Sequence, residues 1–412
     1  MNNKIVAAIV FMILLVLFIA INNYGIINYD LLTFLIFISF IGVLMYADKN
    51  KVKLEGIVFI RKTTKGRNFI DNIAKRNPYI WKTLSIIGVI ISIPILIIGS
   101  LFLLTQSYAI ISGAKEGGVK LLLPGPVSTP VNMPGIFVVP WWIWVIGVAA
   151  VVIPHEFFHG ITCRLNKIKI KSVGWLLLFI IPGAFVEPNE KQLKKSKRLT
   201  KLKVYAAGSL ANILVALILF ILLMFSFSTM LTQTGVFVPI ENMTGLMILE
   251  INGTVIRNQN DFYNTLSKFN INDTFQAKVI TNGYFIPKFQ LDDSDFFIPK
   301  PAFLANNEDI KNYNITLTRN PEKIETISAV KFNLGHQYAY LYYSISLIFL
   351  WIFIFSLGVG LVNLLPIKPL DGGLIFEEIV GKFTRKGKII AKIVSIFILF
   401  LLLFNLFGPV FV

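Results

Sequence analysis

The sequence predicts a polytopic α-helical membrane protein with about seven transmembrane helices, one re-entrant hairpin and a small β-rich domain outside the membrane. Three observations carry this expectation. First, 55% of the 412 residues are hydrophobic and 15% charged, with a mean hydropathy of +0.71, whereas soluble chains carry about 25% charged residues. Second, seven apolar stretches (about 5–21, 31–47, 84–112, 135–163, 204–231, 340–365 and 389–412) approach or exceed the roughly 20 residues that cross a bilayer as a helix. Third, the Lys and Arg residues behind the net charge of +17 gather in a few loops. That pattern belongs to membrane topology and not to nucleic-acid binding. The single cysteine, Cys163, excludes an intramolecular disulfide framework and a Cys-rich metal module.

The opening stretch lacks a small-residue cleavage site and a second apolar segment follows at once. Residues 1–47 therefore read as a transmembrane hairpin, not a signal peptide. Residues 48–83 form a basic segment, with ten Lys/Arg between Asp48 and Lys82. The stretch Arg164–Lys203 carries eleven, and Lys382, Arg385, Lys386, Lys388 and Lys392 form a third cluster, whereas 107–140 has only Lys115 and Lys120. The positive-inside bias places the three basic regions in the cytoplasm. It predicts a multi-pass protein of the cell membrane with a cytoplasmic N-terminus and an extracytoplasmic C-terminus. The core transmembrane region is 84–231. Within it, Gly113–Pro140 is too rich in Gly and Pro for regular helix, and Val173–Val186 is too short to span and contains Gly174, Pro182 and Gly183. The latter reads as a re-entrant or interfacial hairpin. Residues 232–337 are polar and rich in strand formers, with turn signals at Asn252-Gly253 and Asn282-Gly283, which predicts a β-rich extracytoplasmic domain. A core helix (338–375) and a C-terminal basic segment with its own helix (376–412) complete the chain.

The chemistry is concentrated in the fourth stretch, which contains His155-Glu156-Phe157-Phe158-His159. On a helix, residues i and i+4 share a face. Both imidazoles can therefore reach one Zn²⁺, with Glu156 beside them to take a proton from the bound water. Ionisable groups in a bilayer span are costly, and they mark function. A catalytic zinc needs a third protein ligand. The remaining histidine, His336, lies in the domain predicted outside and is disfavoured. Asp371, in Asn363-Leu364-Leu365-Pro366-Ile367-Lys368-Pro369-Leu370-Asp371-Gly372-Gly373, falls on the same predicted side as the histidine pair, where two prolines break the helix and glycines free the backbone.

HEFFH in one span and NLLPIKPLDGG after another resemble the paired signatures of the site-2 protease family of intramembrane zinc metalloproteases, over roughly 135–375. The resemblance implies that His155, His159 and Asp371 bind Zn²⁺, that Glu156 activates the water, and that the substrates are transmembrane segments of other proteins. Many members carry an external PDZ-like insert, and Gly245–Leu266 resembles the middle of such a domain, with peptide binding as its implied role. In AAGSLANIL, Asn212 binds the substrate backbone or orients the site, and Asn363 has a similar reading. Gly208-Ser209 stands where the family often has Gly-Pro. The run ending in Pro182–Pro188 resembles the family's membrane-associated β-hairpin, whose edge can pair with an unwound substrate. Lys368 stands where a neutral or apolar residue is usual, Glu187 reads as gate or solvated carboxylate, and Cys163 reads as core packing. Two alternatives remain: another membrane HExxH zinc protease, such as a prenyl-protein protease, and a non-catalytic zinc-binding membrane scaffold with a peptide-binding domain.

Overall fold

The computed structural model describes residues 6, 9–17, 29–47, 51–64, 66–114, 117–125, 135–178, 181–241, 244–280, 283–286, 302–305, 310–318, 320, 324, 326–332 and 339–411. His336 and Asn282 lie outside this set. The chain divides into two compact units, one built from 1–219 and 348–412, the other from 220–347.

The first unit is a helical bundle. Its long helices are α3 (Pro78–Ile111), α4 (Trp141–Leu165), α6 (Arg198–Met230, entering the second unit at its end), α8 (Ala339–Asn363, which begins there) and α10 (Gly387–Phe407). These five are long and apolar enough to cross a membrane. Seven were expected. Of the first two stretches, residues 9–17 are helical and α1 runs over Tyr29–Ala47, and the apolar part, Leu31–Ala47, is shorter than the other five. Many apolar side chains of these helices point outward, among them Ile90, Ile98, Ile393 and Phe400, as expected where lipid is the surrounding solvent. Small residues face inward. Ser85, Gly88 and Ser92 of α3 are buried, as are Ala206, Ala207, Ser209 and Ala211 of α6. A Cβ on Gly88 would stand 3.3 Å from Leu210 and 3.4 Å from the Ala206 carbonyl. Without a hydrophobic drive between lipid-bathed helices, such close approach holds the bundle together. The buried serines return their hydroxyl protons to their own helix, Ser85 to the Lys82 carbonyl and Ser92 to that of Val89, both at 2.9 Å.

A hairpin is present where one was expected, and it is larger than Val173–Val186. Strands β5 (Ile170–Leu178) and β6 (Ile181–Pro188) pair antiparallel from Leu178↔Ile181 outward. They join β1 (Val52–Glu55) and β2 (Val58–Thr63) in a four-stranded sheet of order β1-β2-β5-β6. Part of the segment read as a basic loop is therefore sheet. Its alternation was hidden by Lys53, Arg61 and Lys62, and Gly56, at φ 65°, makes the turn. Between α3 and α4, β3 (Leu121–Gly125) and β4 (Ile136–Pro140) pair in parallel. Helix α2 (Arg67–Arg76) buries Ile70 and Ala74 and is pinned to the end of α4 by a two-pronged Arg164–Asp71 ion pair. A short α5 (Glu190–Lys195) precedes α6, and α9 (Asp371–Phe383) precedes α10.

The second unit is β-rich, as expected. Its main sheet has the order β11-β12-β14-β7-β8-β10-β13, formed by β7 (Leu231–Glu241), β8 (Thr244–Ile251), β10 (Thr274–Ile280), β11 (Gly283–Ile286), β12 (Ala302–Ala305), β13 (Ile310–Thr316) and β14 (Ile327–Phe332). The Asn252-Gly253 signal is a tight turn with both residues at positive φ (45° and 79°), joining β8 to β9 (Thr254–Val255). Helix α7 (Gln259–Leu266) starts at Asn258, whose side chain accepts from the Asp261 N–H at 2.9 Å. Val236, Ile251, Ile256, Phe262 and Ala277 form part of its core.

Candidate metal centre

Helix α4 carries His155 and His159 one turn apart and runs through Pro154 without a break. Phe157 packs at a tilt on Phe69 and Phe158 edge-to-face on Trp81, at ring-centroid distances of 5.4 Å and 5.2 Å. The two aromatic positions of HEFFH thus fix the rotation of α4 about its axis, and so where the imidazoles point.

Nδ1 of His159 lies 2.7 Å from the Val204 carbonyl oxygen of α6. A carbonyl only accepts, so this nitrogen holds the ring proton and Nε2 keeps its lone pair. Nδ1 of His155 lies 3.1 Å from the amide nitrogen of Asn212, also on α6 and fully buried. Between these two contacts stands Gly208. A Cβ there would collide with Nε2 of both histidines. In the sequence Gly208-Ser209 stands out only as a departure from Gly-Pro. In the structure Gly208 leaves open the space into which both Nε2 atoms point.

Asp371 enters from the turn after α8. The break expected from Pro366 and Pro369 is present: the chain turns through Leu364–Leu370 on short-range hydrogen bonds and re-enters helix at Asp371. Gly372 and Gly373 serve differently from expectation. Neither has positive φ. A Cβ on Gly372 would strike the Leu364 and Leu365 carbonyls, and one on Gly373 the backbone of Ile367 and Lys368. The glycines let α9 lie directly on the preceding turn, which delivers the Asp371 carboxylate to the histidines. Lys368 is paired with Glu377 of α9, so its charge does not bear unbalanced on Asp371.

Oδ2 of Asp371 is 3.4 Å from Nε2 of His155 and 3.3 Å from Nε2 of His159, and the two Nε2 atoms are 3.1 Å apart. A tetrahedral metal with bonds of about 2.0–2.1 Å sets its donors roughly 3.3 Å apart. The triangle of two nitrogens and one oxygen therefore fits such an ion, and it is the group of metal-binding side chains found among the described residues.

Glu156 faces the hairpin. Its Oε2 accepts from the Val186 N–H of β6 at 2.9 Å. Val186 therefore points its N–H away from β5, and by strand alternation so does Ala184, while Pro182 at the next such position has none. The outer edge of β6 thus runs past the carboxylate. Glu187 accepts from Ser172 at 2.6 Å and from Lys171 at 3.2 Å. The Ser172 hydrogen bond holds its carboxyl below the usual range, against the opposing effect of burial and with further help from Lys171. Asn363 ends α8 half-buried. Cys163 packs with Ile168, Leu193 and Val204, and it is not part of the metal-binding group.

No solved structure matches the chain. An uncharacterized protein of Methanocaldococcus jannaschii is similar, with 28% identity over 376 residues that cover 88% of this chain and 89% of the relative. The model of peptidase family M50 matches residues 143–404, well over half of the chain and inclusive of both motifs. The chain belongs to peptidase family M50, the site-2 protease family of membrane metalloproteases.

Proposed function

We propose that this protein is an intramembrane zinc metalloprotease that hydrolyses peptide bonds within or near transmembrane segments of substrate proteins. The observation that carries the reading is the His155–His159–Asp371 triangle, with sides of 3.1–3.4 Å, set among helices long and apolar enough to span a bilayer. Two imidazoles and one carboxylate suit zinc and leave a coordination position for water or substrate. When bound, the metal acidifies a water near neutral pH and polarises the scissile carbonyl.

Glu156 is the general base. The Val186 N–H holds one carboxylate oxygen, and Oε1 takes a proton from the attacking water and passes it to the leaving amide nitrogen. A helical substrate hides its carbonyls in its own hydrogen bonds, so it must unwind before it is cut. The outer edge of β6 offers an unwound segment a strand to pair with beside Glu156. Asn363, at the end of α8, is a second point of contact for the substrate backbone. The positive-inside bias of the basic segments supports a cytoplasmic N-terminus and a β-rich unit outside the cell membrane, with peptide binding as that unit's proposed role.

The test is cleavage of a panel of transmembrane substrates by the protein in liposomes, compared with Glu156→Gln. Loss of the general base lowers the rate about 100- to 10,000-fold while zinc stays bound. Equal cleavage by both proteins would remove the proposed mechanism. No cleavage by either, with zinc bound, would favour the scaffold reading.

A further inference from the structure

We propose that one face of α6 fixes the metal-binding form of the ligands, with Asn212 as the positioning residue for His155 and Ser209 as a lesser one for Asp371. The proposal rests on the metal reading above. Val204, Gly208 and Asn212 are spaced by four and share one face of α6. Val204 gives its carbonyl to Nδ1 of His159, Gly208 leaves the space for the two Nε2 atoms, and Asn212 meets Nδ1 of His155. Ser209, fully buried, places its hydroxyl 3.4 Å from Oδ2 of Asp371, a long contact that tightens with small movement.

The requirement on His155 is specific. To bind a metal through Nε2, its ring proton must sit on Nδ1, and the neighbour there must accept it. Asn212 can do so, because a carboxamide carries a donor at one end and an acceptor at the other. Its Oδ1 is buried and has no hydrogen-bond partner among the described residues. A half-turn about Cβ–Cγ, between two nearly isosteric ends, brings that oxygen to Nδ1. In the other orientation the amide nitrogen faces Nδ1 and favours the proton on Nε2, which blocks the metal. Asn212 thus selects between the two ring forms of His155 from a position fully buried in the bundle. A direct contact with substrate does not fit that burial.

The experiment measures Co²⁺ affinity of the full-length protein in detergent by competition with a chromophoric chelator, together with the visible spectrum of the bound cobalt. Asn212→Leu, which offers no acceptor, is expected to weaken binding about 10- to 100-fold. Asn212→Asp, which accepts from Nδ1–H, is expected to restore it, and Ser209→Ala to cause a smaller loss. Should Asn212→Leu fail to fold, Asn212→Ser is too short to reach Nδ1 and carries the same expected loss. Unchanged cobalt affinity with a raised KM for substrate would overturn the proposal and make Asn212 a substrate contact. His155→Ala separates the two readings: if it too leaves cobalt affinity intact, the metal site itself is wrong, whereas loss there with no effect at Asn212 refutes only the positioning role.

Discussion

Replacing Gly208 by alanine puts a methyl group where the two imidazoles converge. The new Cβ would lie 2.6 Å from Cδ2 of His155 and closer still to Nε2 of both histidines. Ordinary carbon contacts are about 3.5–4.0 Å, so α6 and α4 must separate, or the rings rotate, by about 1 Å. A misplacement of that size in a catalytic constellation costs on the order of 100-fold in rate. Metal binding should fall with it, because the methyl also occupies the space between the donors. The opposing effect is on the helix itself: Gly→Ala inside a helix is stabilising by up to about 1 kcal/mol. Overpacking of a buried site costs about 1–3 kcal/mol, which outweighs that gain, so thermal unfolding of Gly208→Ala should be lowered only modestly, while zinc content after dialysis and substrate cleavage both fall sharply. A variant that keeps full zinc and wild-type cleavage would refute the claim that Gly208 makes room for the metal.

Three further outcomes follow from the geometry. Val186→Pro removes the N–H that holds Glu156 and leaves the β5–β6 ladder intact, because that N–H faces outward. It should lower kcat about tenfold relative to Val186→Ala, the control for lost packing, and equal rates would show that the contact does not position the base. Gly372→Ala drives a Cβ into the Leu364 carbonyl and should cost about 1–3 kcal/mol of stability in reversible unfolding, with metal retention weakened as Asp371 retreats; a change under about 0.5 kcal/mol would contradict the packing account. Because the Glu187 carboxyl is held below its ordinary range, its contribution to stability is complete above the unfolded value and fades as pH falls through the folded one. Glu187→Gln should then lose stability less steeply than wild type on acidification below about pH 4.5, read from melting temperature against pH, and parallel curves would remove that contribution.

Much of the site was legible because its signals are local. The i, i+4 spacing of His155 and His159 fixes one helix face whatever surrounds it, and Pro366, Pro369 and the glycine pair mark a break wherever they stand. The family motifs then brought Asp371 to the histidines across more than two hundred residues of sequence. What stayed hidden depends on contacts between distant segments. The β1–β2 hairpin was masked because its strands carry lysines and β2 pairs with β5, more than a hundred residues away. The room made by Gly208 depends on how closely α6 approaches α4. The partner of Lys368 could not be read before the fold of α9 placed Glu377 within reach. The first two apolar stretches add no span to the five among the described residues, where helix covers 9–17 and α1 is apolar over Leu31–Ala47.

The central claim is that His155, His159 and Asp371 hold a single zinc ion. Zinc K-edge X-ray absorption on the purified wild-type protein tests it directly. One zinc per chain is expected, with two imidazole nitrogens at about 2.0–2.1 Å, oxygen completing the shell and no sulfur, and with the imidazole signal halved in His159→Ala. A sulfur neighbour, a single imidazole, or a stoichiometric zinc that persists unchanged in Asp371→Ala and His155→Ala would contradict the account.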